Sequence, residues 1–529
     1  MKKKLTKLLT LAMCGVVGLS CIGCGQVGQK SDAGDKVVQF YAWDSGFGVE
    51  WIKEIVNEYN ALNTGYTVEF ESHANMPTVV GTLESGTSNV YDLYLTGLQS
   101  WTGTISTMAD LSDVVNATYG NEGVTIGSKM SQKLIQKHTV DGKITALGVG
   151  KTAEGLFYNA DIFDRAGVTE IPNTTEELFN VTWDIQSANI KTSGGTVIRP
   201  WVHWSDANNG YWKYVYEVWA AQAMGVEGYE DFIQLKNENG INQQNVYLGK
   251  DKDGVDMKES DPRYEILSYL ESILTVNSVH ARSSEFDLAG AQAAFVAGET
   301  AMMINGSWLK NEANMGDTVN NFKFMRTPVY SGIVEDLEYR KGSAYMTDAM
   351  LSKIIKAIDE DKTYEETKTA IADDTLSLND YNTIKTFRGM TYGTIGECGQ
   401  IVFAPNYSKS LDATKDFLKY FYSDAGAQAW MDHLHTPFAV ELIDETLVDK
   451  SGWDEWDKSI AEVLEDQTYG LGGDLNASRV LVTNAKDMFA NVSIILALTA
   501  PLPEDRLNAD GIYASMRKMI NDNWTNWSK

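Results

Sequence analysis

The sequence predicts an α/β protein built on a parallel sheet. Segments typical of strands and of amphipathic helices alternate from Val37 onward in the order β-α-β-α-β, and this order implies parallel strands joined by crossover helices. The chain has 529 residues, of which 43% are hydrophobic and 11% aromatic, a composition typical of globular proteins. Its length favours two or more domains of ordinary size.

The first unit of five elements begins at Val37. Branched and aromatic residues predict buried strands, whereas apolar residues three and four positions apart predict helices. The predicted elements are the strand Val37–Trp43, the helix Glu50–Leu62, the strand Tyr66–Glu71, the helix Pro77–Glu84 and the strand Tyr91–Leu95. Ligands of parallel sheets gather at the carboxyl ends of the strands. We therefore expect a binding site near the loops Trp43–Gly48 and Thr96–Trp101.

The N-terminus has the pattern of an export signal. Lysines precede the apolar run Leu8–Ile22, which is too short to cross a bilayer, since crossing requires about 20 apolar residues. Residues 1–23 are therefore a predicted signal peptide, and the polar residues 24–36 a flexible tether. The small residues beside Cys24 resemble the lipobox of bacterial lipoproteins, in which a cysteine receives a diacylglycerol. Cys24 is the favoured site and Cys21 the alternative, and Cys21 itself stands where that motif usually has Leu.

The net charge and the cysteine content argue against nucleic-acid binding, a disulfide-stabilised fold and a cysteine-rich metal site. The formal net charge is −28, and so acidic a surface repels nucleic acid and anionic lipid. Three of the four cysteines lie in or beside the leader, and Cys398 has no cysteine near it. The sequence therefore predicts neither a disulfide framework nor a Cys-rich metal site.

The middle of the chain contains a glycine-rich segment that imitates nucleotide-binding motifs. Asp141–Leu147 is a predicted hairpin, and Gly148–Asn159 follows it. Thr145 stands where a phosphate-binding loop has its first glycine, and no βαβ start surrounds the match to a dinucleotide fingerprint. We therefore predict no nucleotide cofactor.

An aromatic-rich segment follows at Trp201–Trp219. Tyr211 and Trp219 share one helical stripe with neighbouring valines and are predicted to be core residues. Trp204 lies in the preceding polar loop, and Trp212 lies off the stripe. These two tryptophans are the better candidates for a surface that receives a ligand.

Three further segments carry motifs in a fixed order, namely Gly155–Gly167, Ala291–Leu309 and Ala413–Gln428. The second consists of a predicted helix, a stop at Gly298, a strand, and a turn into another helix. Over about Val37–His435 the chain resembles extracellular solute-binding protein family 1 of ABC importers. These are sugar-binding lipoproteins, of which maltose-binding protein is the familiar relative.

The resemblance implies a two-lobe periplasmic-binding-protein fold with hinge strands and a ligand cleft between the lobes. The glycines between residues 148 and 155 suit a hinge, because small residues can absorb large backbone changes. Gln400–Ala404 would form another crossing, and residues 352–378 and the tail from Thr436 exceed the family pattern. The expected N-terminal lobe comprises residues 37–149 and 306–399, and the expected C-terminal lobe comprises residues 150–305 and 400–529.

The resemblance also implies a carbohydrate ligand, with an oligosaccharide favoured, captured by lobe closure without catalysis or cofactor. A sugar has apolar ring faces and edges of hydroxyls, so its site needs aromatic plates and fixed donors and acceptors. Trp308 is the principal candidate, since the turn Gly306–Trp308 matches the ligand-facing aromatic of the family. The full set of predicted ligand-binding residues is Trp43, Asp44, Phe47, Gln99, Trp204, Trp212, Asn305, Trp308 and Glu397.

The implied partners are ABC permease subunits, and the implied location is the outer face of the cell membrane, where a monomer is held by its N-terminal lipid. No nucleic acid partner is expected, because the chain is strongly acidic.

Two other classes also suit an exported chain rich in tryptophan. A glycoside hydrolase needs two carboxylates at a set separation, which 72 acidic residues do not single out. A peptide-binding or adhesin lipoprotein stays open, because aromatic clefts also accept peptides. No metal site is predicted, because His433 and His435 lack a third ligand and the glycine of Asp251–Asp256 comes too early for an EF-hand loop. A hairpin turn is the favoured interpretation of Asp251–Asp256, and a minor calcium site in this loop stays an alternative.

Overall fold

The computed structural model describes residues 34–75, 83, 85–86, 91–97, 106–236, 243–340, 344–393, 399–472 and 487–527. Its strands are β1 Val37–Trp43, β2 Thr67–His73, β3 Leu93–Gly97, β4 Thr139–Val140, β5 Lys143–Ile144, β6 Leu147–Gly148, β7 Glu154–Asn159, β8 Arg199–Val202, β9 Thr300–Gly306, β10 Phe322–Met325, β11 Met390–Thr391, β12 Gln400–Phe403 and β13 Tyr469–Gly470.

The helices in the first part of the described chain are α1 Glu50–Ala61, α2 Ser112–Val115, α3 Gln132–Lys137, α4 Ala160–Ala166, α5 Thr175–Ala188, α6 Lys213–Met224, α7 Val226–Ile233, α8 Gln243–Tyr247, α9 Pro262–Ile273 and α10 Leu288–Val296. Those that follow are α11 Leu309–Glu312, α12 Asp348–Asp359, α13 Tyr364–Ile371, α14 Leu378–Arg388, α15 Leu411–Phe421, α16 Asp424–Leu434, α17 Glu455–Asp466, α18 Ile494–Leu498 and α19 Ala509–Trp527.

The first sheet has the strand order β2-β1-β3-β12-β6. β1 pairs in parallel with β2 and β3, and β12 runs antiparallel to both β3 and β6. The predicted strand Val37–Trp43 is confirmed with the same bounds. α1 covers one face of this sheet, and its Trp51 packs edge-on against Trp430 of α16, with ring centroids 4.8 Å apart. The three strands and the first helix of the predicted unit are therefore confirmed, whereas the predicted helix Pro77–Glu84 lies largely outside the described residues.

The second sheet has the strand order β10-β7-β9-β8. β7 runs antiparallel to both of its neighbours, whereas β8 runs parallel to β9. Every residue of β9 is buried. A strand covered on both faces by helices reads as a continuous apolar run, which is the pattern of the Thr300–Gly306 segment. Each of the two sheets has its own hydrophobic core, and together they form two α/β lobes.

Two segments lie in the opposite lobe from the one predicted. β10 falls within residues 306–399, which were assigned to the first lobe, but it hydrogen-bonds to β7 of the second sheet. β12 falls within residues 400–529, which were assigned to the second lobe, but it pairs with β3 inside the first sheet. The boundary drawn at residue 306 is wrong for β10, because the chain returns after β9 to the same sheet. Gln400–Phe403 is a strand of the first sheet, which the chain enters after Met390 in the core of the second lobe, and its role as a crossing stays a prediction.

The chain passes between the sheets at residues 149–153, between β6 and β7. Gly150 lies flat against the ring of Trp430, where a Cβ would approach Cζ2 to 2.3 Å. Close packing therefore requires a glycine here. Whether this segment bends as a hinge stays a prediction.

The C-terminal tail packs largely on the second lobe. α17 covers β10 and β7, and its Trp456 stacks on Phe157 with ring centroids 4.4 Å apart. α19 is tied to α9 by Tyr513, whose hydroxyl donates to the Asp261 carboxylate over 2.6 Å. Among the described residues, no helix combines the length and the hydropathy needed to cross a bilayer.

Candidate functional site

The two lobes meet where the loop after β1 touches the turn after β9. The Asn311 side chain donates from Nδ2 to the carbonyl oxygen of Gly46 over 2.7 Å. A Cβ at Gly46 would lie 2.7 Å from Glu312 Oε1 and 2.9 Å from Trp308 Cβ. Only a glycine therefore allows the two segments to approach so closely.

Trp308 occupies the centre of this contact. Its ring folds back over the end of β9, because a Cβ at Gly306 would lie only 2.2 Å from the ring atom Cη2. The turn before it is held by a buried hydrogen bond of 2.6 Å between the hydroxyls of Ser307 and Thr152. The short helix after it is held by Lys310, whose Nζ lies 2.6 Å from Asp457 Oδ1 on α17. The turn therefore places the ring on a rigid support.

Trp308 and four other aromatic side chains form the interlobe aromatic cluster, and three of the four contact Trp308 directly. Phe47 of the first lobe approaches the ring edge-on at 5.9 Å, and Tyr211 of the second lobe does so at 5.7 Å. Tyr214 lies 6.4 Å from Trp308 and stacks on Tyr211 at 5.0 Å. Trp204 packs edge-on against Tyr211 at 5.2 Å. The cluster thus presents several ring faces at the junction of the lobes.

Carboxylates border this cluster. Burial, together with the charges of Glu312, Glu154 and Asp206, raises the pKa of Tyr211 to about 12, although a hydrogen bond with Trp308 acts in the opposite direction. Burial also raises the pKa of Glu312, and its hydrogen bond with Gln292 lowers it. The site therefore combines flat apolar faces with negatively charged acceptors.

Three of the aromatic residues predicted to bind the ligand lie together in the interlobe aromatic cluster, namely Phe47, Trp204 and Trp308. Trp212 is not among them, because it is 2% exposed and packs against Trp201 in the core of the second lobe. Asn305 is fully buried within β9, and its Oδ1 accepts from the backbone N–H of Gly306. Both side chains point into the packed interior of the second lobe rather than to the interlobe aromatic cluster, and their participation in binding stays a prediction.

Trp43 and Asp44 lie at the carboxyl end of β1, as the strand pattern predicts. Trp43 packs beside the small core around Tyr41, and exposed Asp44 accepts a hydrogen bond from the Ser72 hydroxyl over 3.3 Å. Their participation in binding stays a prediction. Gln99, Glu397 and the lipidation candidate Cys24 lie outside the described residues.

Sequence reasoning missed Tyr211, Tyr214 and Glu312. Tyr211 was assigned to the core stripe of its helix, but its ring lies at the junction beside Trp308. Glu312 follows Trp308 by four residues, and this spacing places two side chains on the same face of a helix. That spacing was the available signal for the carboxylate.

The histidines and the acidic loop considered as metal ligands have other partners. His433 Nε2 lies 2.5 Å from Glu54 Oε2, and His435 Nδ1 lies 2.6 Å from Asp457 Oδ2. Asp256 forms an ion pair of 2.6 Å with Arg517, and a bridge between Lys250 and Asp256 closes the tight turn. The described residues contain no group of three potential metal ligands.

Solved structures of other proteins share this architecture. A chitin oligosaccharide binding protein superposes with a TM-score of 0.58 at 14% identity, over 92% of this chain and 98% of that one. The cyclic α-maltosyl-1,6-maltose binding protein from Arthrobacter globiformis gives 0.54 at 15% identity, over 93% and 99%. The solute-binding protein RafE in complex with raffinose gives 0.54 at 15% identity, over 91% and 99%. Likeness at such identities establishes the two-lobe fold alone.

Sequence comparison identifies the family. No curated protein sequence is significantly similar to this chain. The family model described as bacterial extracellular solute-binding protein matches residues 54–329, which is more than half of the chain and spans β2 through β10. The chain therefore belongs to the bacterial extracellular solute-binding proteins.

Proposed function

We propose that this protein is the lipid-anchored binding component of a carbohydrate ABC importer and captures an oligosaccharide without chemical change. The observation that carries the proposal is the position of Trp308, which contacts Phe47 of one lobe and Tyr211 of the other. A ring at the junction of two lobes can contact a ligand while it also contacts both lobes, so that ligand binding can stabilise the closed arrangement. The names of the similar structures, which mention chitin oligosaccharide, cyclic maltosyl-maltose and raffinose, support a sugar as cargo.

The chemistry of the cluster supports this ligand class. Sugar rings stack on aromatic faces, while their hydroxyls need donors and acceptors. The rings of Trp308, Tyr211 and Trp204 supply the faces. The carboxylates of Glu312 and Glu154 supply acceptors.

The same carboxylates favour a neutral sugar. Glu312, Glu154 and Asp206 all act on Tyr211 electrostatically, and like charges at close range are repulsive in a partly desolvated site. An oligosaccharide that contains uronic acids would bring further negative charge to these groups. We therefore expect neutral oligosaccharides to bind more tightly than uronic-acid oligosaccharides of the same length.

Capture follows from a shift in the populations of open and closed lobes. A ligand favours the closed arrangement only through contacts that it makes better there. A sugar held between Trp308 and the loop after β1 makes such contacts, because these segments belong to different lobes. The permease subunits would then recognise the closed form, and a monomer suffices for this cycle.

A thermal-shift screen of residues 25–529 against neutral oligosaccharides, uronic-acid oligosaccharides and peptides tests the proposal. A ligand at a hundred times its Kd stabilises the fold by about 2.7 kcal/mol. We expect a neutral oligosaccharide to raise the melting temperature and to be recovered uncut by chromatography. Recovery of a shortened sugar would support a glycoside hydrolase instead, and a response to peptides alone would support a peptide-binding lipoprotein.

The lipid anchor is tested separately in cells. We expect the Cys24→Ser variant to move from the membrane fraction to the soluble fraction, because it loses the acyl chains that hold the N-terminus at the bilayer. Cys21→Ser is the matched control and should stay with the membrane. If only the Cys21→Ser variant is released from the membrane fraction, the lipidated residue is Cys21 instead of Cys24.

A further inference from the structure

A second cavity lies on the surface of the second lobe, remote in sequence from the residues of the interlobe aromatic cluster. Its volume is about 480 Å³, and it lies between the N-terminal turn of α5, the middle of α9 and the turn at residues 330–332. We name it the α9 pocket. Its apolar walls are the rings of Phe179, Tyr264, Tyr269 and Tyr330.

The wall at Tyr330 is fixed by packing. A Cβ at Gly332 would lie 2.4 Å from Cε1 of the Tyr330 ring, so the ring lies flat over this glycine. Its hydroxyl donates to Glu265 Oε2 over 3.1 Å. Ring and carboxylate are therefore held together at the mouth of the pocket.

The tyrosine hydroxyl protons of the α9 pocket are already committed to protein acceptors. Besides Tyr330, Tyr269 donates to the carbonyl oxygen of Thr175 over 2.8 Å, and Tyr264 donates to Asp510 Oδ1 over 2.8 Å.

Two further hydroxyls of the lining also bond within the protein. Ser268 donates to the carbonyl oxygen of Tyr264 over 2.9 Å, and Thr175 donates to Ser331 Oγ over 3.1 Å. The three tyrosines, Ser268 and Thr175 therefore present acceptors and ring faces to the pocket, because their protons are already donated within the protein.

Three carboxylates line the same pocket, namely Glu176, Glu259 and Glu265. Glu259 pairs with Lys258 over 3.6 Å. Within the described part of the chain, neither Glu176 nor Glu265 forms an ion pair with a lysine or arginine. Burial and the neighbouring charges of Asp336 and Glu335 raise the pKa of Glu265, whereas the hydrogen bond from Tyr330 lowers it. Glu176 and Glu265 therefore bring negative charge to the pocket without a lysine or arginine partner among the described residues, whereas Glu259 has Lys258 beside it.

We propose that the α9 pocket binds a small organic ammonium ion. An ammonium group has donors and no acceptor, which complements the carboxylates of Glu176 and Glu265 and the tyrosine oxygens whose protons are already donated, and it is attracted to the faces of aromatic rings. The rim already contains one such contact, since Lys258 Nζ lies 4.3 Å from the centroid of the Tyr264 ring.

Calorimetric titration of residues 25–529 with diaminopentane tests the proposal at constant ionic strength. Pentanediol is the neutral control, because it has the same carbon chain and hydroxyls in place of the ammonium groups. We expect saturable binding of the diamine and none of the diol. Glu265→Gln keeps an acceptor for Tyr330 and removes the charge, and we expect it to weaken binding about tenfold, as for loss of a charge-assisted hydrogen bond.

Glu227→Gln is the matched control, because Glu227 is a glutamate of α7 that does not line the pocket. It should bind the diamine within about twofold of the unaltered protein. Equal binding of diol and diamine, or equal affinities of the Glu265 and Glu227 variants, would overturn the proposal. The inference does not rest on sugar binding, and Trp308→Ala should leave the diamine affinity unchanged.

Discussion

Replacement of Trp308 by alanine is expected to weaken oligosaccharide binding strongly while leaving the fold intact. The ring is only partly buried, so its loss removes less apolar contact than the loss of a core tryptophan. Its three ring neighbours are Phe47, Tyr211 and Tyr214. Aromatic pairs of this geometry each contribute about 0.5–1.5 kcal/mol beyond the area they bury.

The magnitude follows from these contacts and from the ligand face. One contact, that with Phe47, joins the two lobes, so its loss directly disfavours the closed arrangement by about 1 kcal/mol. Loss of the stacking face for a sugar adds about 1–2 kcal/mol, as for an aromatic anchor in an interface. The sum of about 2–3 kcal/mol corresponds to a Kd about 30- to 150-fold higher. Trp308→Phe should recover most of the affinity, because a ring face remains.

Titration calorimetry with the oligosaccharide found in the thermal-shift screen measures these affinities. Trp183→Ala is the matched control, since Trp183 is 59% exposed on α5 and its removal deletes a tryptophan away from the lobe junction. The reasoning is refuted if the Trp308 and Trp183 variants bind the sugar equally well.

Three other substitutions test the surrounding structure. Lys310→Met should lower the free energy of unfolding in urea by about 2 kcal/mol, because Asp457 is nearly buried and loses its lysine partner. Burial lowers the pKa of His203 to about 4, so its contribution to stability is complete above the unfolded pKa of about 6.5 and is lost as the pH falls toward 4. His203→Gln should therefore reduce the loss of stability between pH 7 and pH 4 by about 3 kcal/mol. Gly306→Ala should raise the sugar Kd about tenfold, because its Cβ displaces the Trp308 ring.

Two matched variants control for these effects. Lys53 forms an ion pair with Glu50 in which both side chains are largely exposed, and Lys53→Met should change stability by less than about 1 kcal/mol. A Cβ added at Gly452 would have no neighbouring atom within 4 Å, and Gly452→Ala should leave sugar affinity unchanged. A loss of stability with Lys53→Met as large as with Lys310→Met would contradict the role given to the buried Asp457.

Local hydrophobic patterns were sufficient to predict the three strands and the first helix of the first unit. The strand Val37–Trp43 is largely apolar, and a segment of that kind is buried on both faces wherever it lies in a sheet. The lobe boundaries were not predictable in this way. β10 and β12 are both short apolar strands, and the pairing that places each one in its sheet is made with residues more than 150 positions away.

The site was predictable only in part for a similar reason. Trp308 follows a buried strand and a glycine-containing turn, so its position at a strand end could be inferred. Trp212 and Tyr211 are adjacent in the sequence, yet the first is 2% exposed in the core and the second faces the junction. A short 3-10 turn at Gly210–Trp212 precedes α6 and rotates these two side chains relative to the stripe of a regular helix.

A crystal structure of the protein with its oligosaccharide tests the central claim most directly. We predict a sugar ring stacked on Trp308, between the loop after β1 and the ring of Tyr211, with the glycosidic bonds intact. A sugar bound elsewhere, with no ligand between the lobes and none in contact with Trp308, would contradict the account.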